Sequence, residues 1–342
     1  MKILFDITHP AHVLFFKPVI ELLNGAGHTA IVASRKKDVA TDLLDKFKIP
    51  HIEISKQNNK NIFSSGKEMF CRGYKLYKLA REENPDAIIS YCGVSAAQVG
   101  KLLDIPSIIF TNTEIAKLQN LLSLPIASKI IVPEGWLNKK SSKYTELNGC
   151  FETNYLHPEI FIPDEKIALE GGLKKGKDNF FIRIVSWQAA HDVGKSGWDL
   201  EALRKIISDL EKRGHVHISS EKSLPDEFSK NLYKGDISEI HHLLAYCKLY
   251  IGESATMAAE AATLGVPAIY MADFELGYIK NIEKKYGLIK HLKTQKSLEL
   301  TIEELLKQPP SYWKDKAKIL VKESDFAPKN ILKIAEESLT SH

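Results

Sequence analysis

The chain has 342 residues, 44% of them hydrophobic and 26% charged, and 47 basic against 43 acidic side chains leave a net charge of +4. That length exceeds one ordinary core and predicts two domains, and the composition excludes a disordered chain. So mild a positive balance gives no ground for a nucleic-acid partner. The four cysteines, Cys71, Cys92, Cys150 and Cys247, lie far apart; they exclude a disulfide framework and read as reduced, buried thiols of a cytosolic protein. Asp6 and His9 interrupt the apolar start, so it does not read as a signal peptide. The longest apolar run, Ala255 to Ala272, contains Glu260, is broken by Gly265 and Pro267, and does not read as a membrane span.

Lys2 to Asp6 is a short apolar strand, followed by a polar loop with Thr8, His9 and Pro10. The next helix carries Val13, Phe16, Ile20 and Leu23 on one face and ends near Gly25 and Gly27. Pro18 is best tolerated in a first turn, which puts the regular helix nearer Phe16. Thr29 to Ser34 reads as a strand, Asp38 to Phe47 as a helix and His51 to Ser55 as a strand. This alternation predicts a parallel sheet with helices on both faces and ligands at the carboxyl ends of its strands.

Gln57 to Ser65 is polar and expected to be loose. A helix from Gly66 to Glu83 sets Phe70, Tyr74 and Tyr77 in a stripe among Lys67, Arg72, Lys75, Lys78 and Arg81. That pattern suits either core contact with a solvated basic face, or a surface that meets anionic lipid or a lipid-phosphate acceptor. Asp86 to Tyr91, Pro106 to Phe110 and Lys129 to Val132 read as strands, with a helix from Val94 to Leu103. Periodicity fails between Cys150 and Gly171, where Pro158 and Pro163 mark a linker. The second half repeats the pattern: strands Phe180 to Ser186 and His215 to Ser219 flank a helix from Trp198 to Arg213, and Ile237 to Tyr246 is helical. Helices from Ser297 to Lys307, from Ser311 onward and from Pro328 to Leu339 close the chain.

Two stretches imitate a phosphate-binding P-loop. Gly171 to Lys177 precedes a strand and has Asp178 where a Mg²⁺-binding hydroxyl belongs, which removes it. Ala189 to Ser196 lies correctly between a strand and a helix, but no apolar strand ending in Asp supplies the second Mg²⁺ ligand. The same turn carries Trp187, His191, Asp192 and Gly194; His191 suits a phosphate or a leaving group, or pairs with Asp192 to shape the loop. Asp6, His9 and His12 are the acid–base candidates of the first half, with Asp6 able to orient a histidine. No spacing is diagnostic of a metal site, and His241-His242 reads as a surface or core pair.

Lys248 to Met271 organises the whole: a strand, a tight turn at Gly252 to Ser254, a helix apolar almost all round, and a second strand from Pro267. Glu260 lies within that apolar surface, where an unpartnered charge would be costly. The N–H groups opening the helix favour an anion. The stretch therefore reads either as a nucleotide site, phosphates at the tip and ribose at Glu260, or as a buried unit with Glu260 in an internal ion pair.

This segment resembles the donor-nucleotide motif of GT-B-fold proteins, which include the N-acetylglucosaminyltransferase that makes lipid II and the UDP-N-acetylglucosamine 2-epimerases. The start, FDITHPAHVLFFKP, resembles the signature of a largely uncharacterised family related to both. The resemblance implies two Rossmann-like parallel-sheet domains facing each other across a cleft. The expected bounds are 1–160 on the acceptor side, 161–325 for the nucleotide-sugar, and 326–342 for a helix crossing back. It implies a metal-independent glycosyltransferase using a UDP-sugar as co-substrate, in surface polysaccharide or glycoconjugate synthesis, with no other cofactor. A UDP-sugar 2-epimerase and a non-catalytic nucleotide-sugar-binding protein are the alternatives. Glu260 would hold the ribose; Glu253, Ser254, Ala255 and Thr256 would face phosphate or sugar with Trp187, Asp192 and Gly194; His12 or His9, helped by Asp6, and His191 would move protons. The acceptor is open, with a lipid-linked one among the readings, and the protein is expected in the cytoplasm, with membrane contact through residues 66–83.

Overall fold

The computed structural model describes residues 1–36, 40–56, 62–185, 200–221 and 223–340. The chain forms two compact units, Met1–Tyr155 with Asp325–His342, and Leu156–Ser324.

In the first unit the strands are β1 (Lys2–Ile7), β2 (Thr29–Lys36), β3 (Ile52–Lys56), β4 (Ala87–Tyr91), β5 (Ser107–Phe110), β6 (Lys129–Pro133) and β7 (Tyr144–Leu147). They form one parallel sheet in the order β3-β2-β1-β4-β5-β6-β7. Helices α1 (Pro10–Gly25), α2 (Ala40–Lys46), α3 (Ile62–Glu83), α4 (Val94–Leu103) and α5 (Lys117–Ser123) connect them. Order reverses between β1 and β4, so the crevice past their carboxyl ends is where such a sheet takes a ligand. On one face Leu4, Ile88 and Ile109 pack with Leu76, Leu79 and Ala80 of α3. On the other Phe15, Phe16, Phe110 and Phe151 form an aromatic cluster, and Phe326 joins it at 4.8 Å from Phe151.

Helix α1 runs through Pro18 instead of starting near it. Pro10 opens the helix, His9 caps it, and Val13, Phe15, Phe16, Val19, Ile20 and Leu23 are buried along its length. Burying each such side chain contributes about 1.5–3 kcal/mol. Together they outweigh the roughly 3 kcal/mol that an interior proline costs. Helix α3 starts at Ile62, inside the segment expected to be loose. Its buried stripe is Arg72, Leu76, Leu79 and Ala80, while Phe70 and Tyr74 are exposed. Cys71 is exposed rather than buried.

The second unit holds β8 (Asp178–Ile184), β9 (Gly214–Ser220), β10 (Leu249–Gly252), β11 (Ala268–Met271) and β12 (Ile289–Leu292) in the parallel order β12-β11-β10-β8-β9. Its helices are α6 (Glu165–Glu170), α7 (Leu200–Glu211), α8 (Ile240–Leu244), α9 (Ala255–Thr263), α10 (Gly277–Tyr286), α11 (Leu298–Leu306) and α12 (Pro310–Glu323). Here order reverses between β8 and β10. Helix α13 (Pro328–Thr340) belongs to the first unit and packs on α1. Asp325 leads into it, accepting from the backbone and side-chain N–H groups of Asn148 at 3.0 and 2.9 Å. Among the described residues no helix is long and apolar enough to cross a membrane.

The Gly171 to Lys177 segment lies at the amino end of β8 and is occupied internally. The Asn179 amide donates to the carbonyls of Lys174 and Lys177 and accepts from the Lys174 N–H.

Candidate functional site

In the second unit, β10 delivers the chain to a tight turn at the reversal of strand order. Gly252 ends the strand where a Cβ would stand 2.6 Å from both the Arg183 carbonyl and the Tyr250 hydroxyl, so only a bare backbone fits. Glu253 points back across the crevice and accepts from the Val185 N–H at 2.8 Å, tying the end of β8 to the start of α9. Its carboxylate thus shapes the crevice floor. Ser254 is the N-cap; its Oγ accepts from the Met257 N–H at 3.2 Å, which leaves its hydroxyl hydrogen to donate. Tyr250 donates to the Ser254 carbonyl at 3.1 Å and fixes the turn from below. The N–H groups of Ala255 and Thr256 have no acceptor among the described residues, and both residues are partly exposed. Oriented N–H groups at a helix start attract anions.

Glu260, 4% exposed, has the partner that its burial demands: His241 Nε2 of α8 lies 2.9 Å from its Oε1. His241 is buried too and is held against Phe161. In the sequence this histidine stands out only as half of the His241-His242 pair. Arg183 is a second site residue with no signal in the sequence: the guanidinium at the carboxyl end of β8 donates to Ser219 at 2.7 Å and to Glu221 at 2.5 Å. Its Nε is buried without a partner among the described residues. Trp187, His191, Asp192 and Gly194, with the Ala189 to Ser196 turn, lie outside the described residues.

In the first unit, Asp6 stands at the carboxyl end of β1, 1% exposed, and its carboxylate is taken by the buried Arg72 of α3. Burial pushes the Asp6 carboxyl above its usual range, against the downward pull of Arg72. The expected pairing of Asp6 with a histidine is not formed, because a guanidinium delivered by α3 satisfies the buried charge instead. Arg72 also donates to Ser55 at 3.0 Å. Beside it Arg35 and Glu68 form a two-pronged pair at 2.7 and 2.6 Å. Asp6, Arg35, Glu68 and Arg72, with Thr8, Gly93 and Gln119, line a cavity of about 310 Å³.

His12 is buried, stacked on Tyr91 at 4.6 Å between ring centres, and its Nδ1 accepts from the Thr8 N–H at 3.3 Å. His9 is exposed and its Nδ1 accepts from the Ala11 N–H at 3.2 Å, completing the α1 cap. With Nδ1 accepting, each neutral ring carries its proton on Nε2. The structure brings His9 and His12 together, 5.7 Å between rings, and leaves Asp6 to Arg72. Among the described residues no group of three His, Cys, Asp or Glu side chains has the arrangement of a metal site.

The described architecture matches solved structures over the whole chain. It is similar to the UDP-GlcNAc 2-epimerase of Neisseria meningitidis bound to UDP-GlcNAc, with 15% identity, all of both chains covered and a TM-score of 0.69. It is similar to the UDP-N-acetylglucosamine 2-epimerase of Rickettsia bellii, with 14% identity, 100% of this chain and 97% of that one covered, and a TM-score of 0.70. The spinosyn rhamnosyltransferase SpnG complexed with thymidine diphosphate matches at 14% identity and a TM-score of 0.64, covering 98% of this chain and all of that one. The chain thus has the GT-B fold of these glycosyltransferases and epimerases. Within that class it belongs to the family described as Protein of unknown function (DUF354), whose profile matches residues 1–280. A relative, Uncharacterized protein MJ0665 of Methanocaldococcus jannaschii, is 24% identical over 288 residues, 79% of this chain and 81% of its own.

Proposed function

We propose that this protein is a metal-independent glycosyltransferase that takes a UDP-sugar and works in surface polysaccharide or glycoconjugate synthesis. One observation carries the reading: a capped helix with two open N–H groups at its start and a buried carboxylate within it, at the strand-order reversal of a GT-B unit. The diphosphate meets the N–H groups of Ala255 and Thr256 and the Ser254 hydroxyl. Glu260 lies six residues further along, about 9 Å up the helix axis, a span that suits ribose hydroxyls. A carboxylate has about four lone-pair sites, so Glu260 holds His241 and still accepts from a ribose.

In the transfer step the acceptor oxygen bonds to the anomeric carbon as the bond to the diphosphate breaks. Fixed N–H dipoles at the α9 start stabilise the charge that develops there. His191, with Trp187, Asp192 and Gly194, is assigned to the departing diphosphate from the sequence resemblance alone. In the first unit His9 is the proposed base for an acceptor hydroxyl once its Nδ1 leaves the helix cap, with His12 as the alternative.

The whole-chain likeness to two epimerases favours a second reading, a UDP-sugar 2-epimerase. Release of a free 2-epimer from donor alone would select it, and binding without turnover across an acceptor panel would leave a nucleotide-sugar-binding protein. The primary test is a thermal-shift series with UDP, UDP-N-acetylglucosamine, TDP, GDP, ADP and ATP, with and without Mg²⁺. UDP species are expected to raise the melting midpoint without metal, by mass action on the folded state. Glu260→Gln keeps the size and polarity of the side chain beside His241 and should fold normally, yet bind UDP about ten- to a hundredfold more weakly, the worth of hydrogen bonds to a charged group. Unchanged affinity in that variant, or stabilisation by ATP with Mg²⁺ alone, would defeat the reading.

A further inference from the structure

Several exposed apolar side chains of the first unit lie on α3 and α5, which pack on either side of α4. Phe70 is 79% exposed and Tyr74 55% on α3; Leu118 is 70% exposed and Leu121 69% on α5. The two helices are adjoined by the 310 Å³ cavity, to which α3 contributes Met69 and Arg72 and α5 contributes Leu118 and Leu122. Met69, itself 42% exposed, and Leu118 line that cavity from the two helices; Phe70 and Tyr74 lie one turn apart on α3, and Leu118 and Leu121 nearly one turn apart on α5. Isolated exposed hydrophobics are ordinary, whereas a contiguous group signals an interaction surface.

Its charge indicates the partner. Lys75, Lys78 and Lys117 are exposed on the same two helices, and none has a carboxylate within ion-pairing distance among the described residues. Lys78 lies over the Tyr74 ring at 5.3 Å. The acid nearest the mouth, Glu68, is already held by Arg35. Bulky apolar groups projecting among unneutralised lysines fit a lipid interface whose headgroups are anionic, where aromatic rings sit at headgroup depth.

We propose that α3 and α5 form a docking surface for an anionic lipid bilayer, with the cavity between them opening onto the membrane. This inference is independent of the nucleotide-sugar reading, since it concerns only the first unit's surface. An acceptor with a membrane-embedded tail would reach Thr8 and Gln119 through that mouth without leaving the bilayer.

The test is flotation of the full chain with vesicles of phosphatidylcholine alone and of equal parts phosphatidylcholine and phosphatidylglycerol. Binding is expected to the anionic vesicles only, and to weaken as salt screens the lysines. Phe70→Ser with Leu118→Ser and Leu121→Ser should reduce binding roughly tenfold or more, by removing apolar area from the interface. Lys75→Glu with Lys78→Glu should reduce it to a comparable degree, at about 1 kcal/mol per lysine or more. All five positions are exposed, so circular dichroism and melting should match the parent. Failure to float with anionic vesicles, or equal binding by the serine variant, overturns the proposal. So does a dimer in light scattering that the serine variant converts to monomer, which would assign the surface to a second copy of this chain.

Discussion

Replacing Arg72 with methionine is expected to lower the stability of the first unit by about 3–5 kcal/mol, the cost of leaving a buried charge without its partner. Asp6 is fully enclosed and Arg72 is the group that meets its carboxylate, while burial already drives the carboxyl upward. Without the guanidinium only the weaker pull of Arg35 opposes that rise, and folding favours a protonated Asp6. The sign of the pH dependence follows. An unfolded Asp6 loses its proton near its ordinary value, so the variant's deficit grows as pH rises above about 4 and levels off past the raised native value. Asp6→Asn added to Arg72→Met should recover much of the loss, since a neutral amide replaces the stranded acid. Urea unfolding from pH 4 to 8, with hydrogen exchange on β1 and β4, measures both. A loss under 1 kcal/mol for Arg72→Met would mean that the pair does not hold these elements together.

The second large effect is acid destabilisation through His217. This side chain is buried in β9, and burial, reinforced by the neighbouring His215 and Lys174, lowers its pKa to about 3. Its Nε2 lies 2.9 Å from Asn179 Oδ1, so the ring is held neutral as a donor. The unfolded chain takes a proton there near pH 6.5 that the native state refuses, so stability is complete above that pH and falls as pH drops towards 3. The slope approaches 1.4 kcal/mol per pH unit, about 4 kcal/mol over the window. His215 and His242 are shifted downward by burial as well and add loss of the same sign. His217→Gln keeps a donor for Asn179 and cannot titrate. Its urea midpoint should match the parent at pH 7 and exceed it increasingly below pH 6. Parallel curves for the two proteins would remove His217 from the account.

Local signals were enough to place the α9 site and not enough to furnish it. The strand, the turn at Ser254, the apolar helix and the isolated Glu260 are all readable from spacing, and the cost of desolvating a carboxylate demands a partner. Which residue supplies it depends on how α8 docks, and that is set by tertiary packing; a histidine pair one helix upstream was the available hint. Helix α3 shows a sharper failure. Phe70, Tyr74 and Tyr77 recur at helical spacing, but so do Arg72, Leu76, Leu79 and Ala80, and it is the second set that is buried. An arginine on a core stripe is disfavoured unless a buried acid waits for it, and Asp6 lies 66 residues away in sequence. β7 and α5 carry no periodic signal in the sequence, for compositional reasons. The first is a short, half-exposed edge strand, and the second turns leucines outward. In α1, periodicity outranked the proline.

The return of α13 to the first unit also governs the order in which the molecule can be completed during synthesis. The second unit is continuous in sequence, from Leu156 to Ser324, so its sequence can be complete before residues 325–342 are added. The first unit cannot. Until Phe326 and Ile331 arrive, the aromatic cluster around Phe151 lacks one of its rings and the α1 face lacks its cover. The unit that begins first on the ribosome is therefore the last to be sealed. Its exposed interior makes a nascent chain more dependent on chaperones than the finished protein's balanced surface suggests.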